Sequence, residues 1–193
     1  MRVKTVILAL LLLLAFAACT ASGSVEDDAP TASDSISDDP TAETGDDAQI
    51  YAAAIRQIYT VDHSFGQAPG WPLVYVVSVT EDSAMIDAPG APSQTLPVET
   101  QEAITAELAG EPFELIWITA FDDAPIDPAN GQIAGGDGII ISLGNIHPQE
   151  DGTVQLPFFM TCGGLCGIGK TYVLQRAGGE WAVSGSVGPE IMS

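Results

Sequence analysis

The 193-residue chain carries 26 Asp and Glu against five Lys and Arg, a net charge of −21 at pH 7. Such an excess repels nucleic acid, ATP and anionic lipid headgroups, and no basic patch exists to override it, so neither nucleic acid nor ATP is expected as a partner.

At the N-terminus, Arg2 and Lys4 precede an unbroken apolar run from Val6 to Ala18. A helix needs about 20 such residues to cross a bilayer, and this run is shorter, which suits the apolar centre of a secretory signal peptide. The run ends in Ala15-Phe16-Ala17-Ala18-Cys19. That ending resembles the lipobox of bacterial lipoproteins, with Phe16 where leucine is usual. The resemblance covers only the signal, residues 1–18, and its processing site. It implies cleavage before Cys19, lipidation of Cys19 with chains such as palmitate, and a place on the cell membrane facing away from the cytoplasm. Ordinary signal cleavage after Ala15-Phe16-Ala17 is the alternative.

Residues 20–49 contain nine acidic residues and no Lys or Arg, in a background of Ser, Thr, Ala and Pro. Such a segment cannot bury enough apolar area to offset its chain entropy, so residues 19–47 are expected to be an acidic tether. Residues 48–193 are long enough for one domain, and their 17 acidic residues face only Arg56, Lys170 and Arg176.

The domain opens with an alanine-rich segment in which Tyr51, Ile55 and Ile58 fall at helical spacing after Asp46 and Asp47, which predicts an amphipathic helix. Pro72 introduces the β-branched run LVYVVSVT, and turn residues follow from Glu81 to Gln94. LPVETQEAITAELAG reads as a second helix, with Pro97 early and Gly110 just past its end. Phe113 to Thr119, Gly138 to Leu143 and Val154 to Met160 are strand candidates, and Pro157 argues for an edge position or a bulge in the last. Alternation on both sides of Ala177-Gly178-Gly179-Glu180 predicts a C-terminal hairpin. The expected fold class is α+β: two helices packed on one face of a mostly antiparallel sheet of five or six strands.

GLCGIGKT, Gly164 to Thr171, fits the phosphate-loop pattern letter for letter. The mechanism needs a helix after the lysine, whereas the residues after Lys170 alternate as a strand. Gly164, Gly169, Lys170 and Thr171 are therefore not expected to hold a nucleotide, and Gly164, Gly167 and Gly169 are assigned to a hairpin loop. The apolar run from Leu115 to Asp122-Asp123, which resembles the magnesium-binding strand of such enzymes, stands before the loop rather than after it. With Cys19 acylated, Cys162 and Cys166 are left as a pair outside the cytoplasm, and a disulfide between them is expected rather than a zinc or redox site.

Other constellations are thin. Asp62-His63-Ser64 holds the residue types of a hydrolase triad, but neighbours in a chain do not converge on one reacting atom. His147, with Glu150 three residues on, has no second histidine near it. Asp122, Asp123, Asp127, Asn130 and Asp137 could offer oxygens to calcium, although their spacing is not that of an EF-hand. Trp71, Trp117, Trp181, Phe158 and Phe159 could line a cleft, but core packing is the commoner fate of strand aromatics. No catalytic set and no cofactor are expected. The reading is a lipid-anchored module that binds a small ligand, a wall polymer or another envelope protein. The rivals are a hydrolase assembled from Asp62, His63, Asp122, Asp123 or His147, and a calcium-stabilised structural domain.

Overall fold

The computed structural model describes residues 40–63, 70–82, 91–133 and 135–192. The signal segment, Cys19 and the tether as far as residue 39 lie outside the described residues.

Helix α1, Pro40–Thr60, starts earlier than the alanine-rich run suggested, inside the expected tether. Proline suits a first helical position because its fixed φ is helical and the N–H it lacks has no partner there. Ala48, Ala52 and Ala54 are buried along with Ile50, Tyr51, Ile55 and Ile58, so small side chains let the helix sit close to what it covers. Strand β1, Leu73–Val77, is followed by helix α2, Val98–Glu107, and strand β2, Glu114–Ile118. Strands β3, Gly138–Leu143, β4, His147–Pro148, β5, Val154–Gly163, β6, Cys166–Ala177, and β7, Glu180–Met192, complete the sheet.

The sheet runs β2-β1-β3-β5-β6-β7, with β4 beside β5. Strands β2, β1 and β3 are mutually parallel, and every other pairing is antiparallel. The α+β class holds, but the sheet is larger than expected and partly mixed. Its parallel part follows from the order β1-α2-β2, since parallel neighbours need a crossover.

Two cores flank the sheet. Ile55, Ile58 and Ile104 from the helices pack with Val74, Val76, Ile139, Ile141, Phe158 and Tyr172 on one face. On the other, Tyr75, Val77 and Ile140 meet Ala124 and Ile133 from the segment between β2 and β3. This is the period-2 alternation of β-strands made physical.

Pro157 corrects the sequence reading. Strand β5 is interior, lying between β3 and β6. The Pro157 carbonyl accepts the Gly144 N–H at 2.7 Å. In an antiparallel strand a residue's N–H and C=O point the same way, so the missing donor falls where β3 has ended and no ladder bond is required. The hairpin loop is also shorter than expected. Only Gly164 and Leu165 separate β5 from β6, while Gly167 and Gly169 pair with Thr161 and Phe159 inside the ladder. A disulfide joins Cys162 and Cys166 across that turn. Among the described residues, no helix is long and apolar enough to cross a membrane.

Candidate functional site

The crossover from β1 through α2 leads to β2 on one side of β1, and the next connection returns to β3 on the other. At such a switch point the loops leaving the carboxyl ends of adjacent parallel strands part and leave a crevice, the usual ligand position in open sheets. A cavity of about 470 Å³ occupies that place. Thr80 and Gln94 line it after β1, Thr100 from α2, Asn145 and Ile146 after β3, and Tyr51 from α1.

Beneath this groove lies a buried polar network built on Asp82, whose side chain is 2 % exposed. Its Oδ1 accepts the Asn145 backbone N–H at 2.7 Å. Its Oδ2 accepts Asn145 Nδ2 at 2.9 Å and the Ala91 N–H at 2.9 Å. His147 Nε2 lies 3.0 Å from the same oxygen. Three donors thus gather on Oδ2 and one on Oδ1, so the carboxylate is held from several sides at once. Burial works against the charge on Asp82, but hydrogen bonds from Asn145 and His147 outweigh it and hold the carboxyl below its ordinary range.

Asn145 is equally committed. Its Oδ1 accepts Thr80 Oγ1 at 2.7 Å and Gln94 Nε2 at 3.2 Å. Gly144 is required beside it, because a Cβ there would stand 2.7 Å from Asp82 Oδ1 and 2.9 Å from the Pro157 ring. Tyr51 donates to the Gly144 carbonyl at 3.2 Å. Burial, with Asp47 and Asp82 adding negative charge nearby, pushes the Tyr51 hydroxyl far above its ordinary pKa. The network makes a rigid floor, with the hydroxyls and amides of Thr80, Gln94 and Thr100 on the groove wall.

A second cluster lies where α1 ends over β6. Lys170, buried on β6, donates to Asp62 Oδ1 at 2.8 Å and lies 3.6 Å from Glu190 Oε1 on β7. Tyr172 donates to Asp62 Oδ2 at 2.6 Å, and Gln57 Nε2 does so at 3.3 Å. Burial alone would raise the Asp62 pKa, yet the bonds from Lys170, Tyr172 and Gln57 outweigh it and lower it. Burial and the adjacent Asp62 carboxylate drive the Tyr172 hydroxyl the other way, far above its ordinary value.

The residues singled out from sequence fall in separate places. Asp62 belongs to the lysine cluster, and His63 is buried beside it with its Nδ1 unpartnered. His147 belongs to the Asp82 network, and its partner is 65 residues away rather than the nearby Glu150. Asp122 and Asp123 lie on a short 3-10 helix, where Asp123 accepts the Thr119 and Ala120 N–H groups. Asp127 and Asn130 accept the N–H groups of Ala129 and Gln132, two residues on, as turn-formers do. Asp137 is exposed just before β3. Among the described residues, no group of three or more His, Cys, Asp or Glu is placed to hold a metal ion. Lys170 and Thr171 of the phosphate-loop pattern lie within β6, with no helix after them.

The aromatics divide similarly. Phe158 and Trp71 are core, with Phe158 stacked on Tyr172 at 4.4 Å. Trp117 donates to Thr105, Phe159 is exposed, and Trp181 carries Arg176 over its ring at 5.1 Å. The sequence reading missed Asp82, Asn145, Thr80 and Gln94. Asp82 and Gln94 sit in a run that reads as an ordinary turn, Thr80 ends a strand run, and no short-range spacing links them. No protein-family model, curated protein or solved structure matches the chain.

Proposed function

We propose that the protein is a lipid-anchored binding module outside the cytoplasm, which takes a small polar, uncharged ligand of the cell envelope in the groove at the carboxyl ends of β1 and β3. The observation that carries this reading is the groove itself, an open cavity over a hydrogen-bonded floor. A floor bonded in this way holds its wall groups in fixed positions, which lowers the entropy cost of binding. Net charge disfavours anionic ligands. The hydroxyls and amides along the wall suit a saccharide or a peptide backbone. The Cys162–Cys166 disulfide accords with an oxidising compartment. The lipid on Cys19 and an acidic tether would hold the module at the membrane surface.

Two measurements test this. Calorimetric titration of the full chain with soluble, uncharged wall fragments, a neutral disaccharide and an end-blocked stem peptide with amidated carboxyls separately, should give saturable binding to one of them. The double variant Gln94→Ala, Thr100→Ala should weaken it about tenfold, the loss of roughly one hydrogen bond's worth of affinity. Absence of saturable heat from both fragments refutes the ligand class. For the anchor, Cys19→Ser should move the protein out of the membrane fraction and abolish lipid labelling, and a variant that stays in the membrane refutes it.

A further inference from the structure

We infer that the cleft around Lys170 and Asp62 is a second binding site, for a zwitterion the size of a small amino acid. Its cavity of about 260 Å³ is lined by Gln57, Asp62, Lys170, Tyr172, Ser184 and Ser186 among others, none of which lines the groove beyond β1 and β3. That volume lies below the roughly 300–1,000 Å³ of sites for drug-sized molecules, so the occupant is small.

Three observations converge. Lys170 is the only lysine after Lys4, and it is spent inside a domain with a large acidic excess. A buried ion pair can often be replaced by apolar groups without loss of stability, so folding alone gives little reason for placing this charge here. Second, β7 departs from regular pairing twice, both times at this cleft. Gly169 pairs with Ile191 but Thr171 with Val187, so Gly188, Pro189 and Glu190 stand opposite Lys170 alone. Val173 pairs with Gly185 but Leu174 with Val183, which leaves Ser184 as an extra residue on the cleft wall. Bulges give up ladder bonds and re-aim side chains, and they recur beside functional sites.

Third, the two charges are not saturated. Lys170 has three N–H donors, of which Asp62 takes one and the half-exposed Glu190, at 3.6 Å, holds another only loosely. Asp62 offers about four acceptor positions and uses three, for Lys170, Tyr172 and Gln57, leaving one on Oδ1. An amino acid fits this inventory. Its carboxylate takes Lys170 in place of Glu190, and its ammonium takes the open position of Asp62.

Titration calorimetry of the full chain in detergent tests the site, with glycine and L-alanine as probes and acetate and methylammonium, the two halves of glycine, at matched ionic strength. Glycine or alanine should bind saturably and neither half should. Lys170→Met should weaken glycine binding about tenfold or more, as loss of a charged partner does. Glu190→Gln, at an exposed position that leaves folding intact, should tighten it by removing the competing carboxylate. Three results overturn the inference: no saturable heat from either amino acid, acetate binding as well as glycine, or glycine affinity unchanged in Glu190→Gln.

Discussion

Replacing Asp82 by alanine tests whether the floor of the groove is held as described. The substitution strands four donors: the Asn145 N–H and Nδ2, the Ala91 N–H and His147 Nε2. The two Asn145 bonds are buried, whereas those from Ala91 and His147 are only partly so and water can replace them. At about 1–3 kcal/mol for each buried donor left unpaired, the loss is about 2–6 kcal/mol. That is a large fraction of the roughly 5–15 kcal/mol by which domains are stable. With a urea slope of about 2 kcal/mol per molar, the unfolding midpoint at pH 7 should fall by about 1–3 M. Acidification should have a related effect with a definite sign. Because the folded pKa of Asp82 is depressed, its contribution is present above the ordinary carboxylate pKa and is lost as pH falls through the lower folded value. The wild type should therefore lose stability below about pH 4, and Asp82→Ala should lose less over the same range. A midpoint shift under about 0.5 M, with unchanged acid sensitivity, refutes the load assigned to this carboxylate.

Two more expectations concern the other parts of the fold. Reducing the Cys162–Cys166 disulfide, or replacing both cysteines by serine, should cost only about 2 kcal/mol, because the ring it closes is small. Urea melts with and without reductant measure this, and complete unfolding on reduction contradicts it. The hydroxyls of Tyr51 and Tyr172 are raised far above their ordinary value, mainly by burial. Raised pKa values contribute stability that is full below about pH 10 and lost as pH rises beyond it. In an ultraviolet titration, Tyr51 and Tyr172 should ionise only as the chain unfolds in alkali, and loss of the late phase in neither Tyr51→Phe nor Tyr172→Phe counts against their burial.

What the sequence determined by itself is whatever rests on neighbours along the chain. Helical spacing of Tyr51, Ile55 and Ile58, alternation around Ala177-Gly178-Gly179-Glu180, and Gly110 after α2 each encode a local backbone choice, and each lies where the spacing put it. The same local logic correctly set a strand, not a helix, after Lys170. It failed at Pro157, because whether a missing N–H matters depends on where the neighbouring strand β3 ends. Nor could it name the hydrogen-bond partner of His147, because Asp82 is 65 residues distant and reaches it only because β1 and β3 are parallel neighbours. Lys170 and Asp62, 108 residues apart, meet because α1 ends over β6. Both sites consist of contacts between elements far apart in sequence, so only tertiary packing, driven by burial of the two apolar faces of the sheet, could bring their polar groups together.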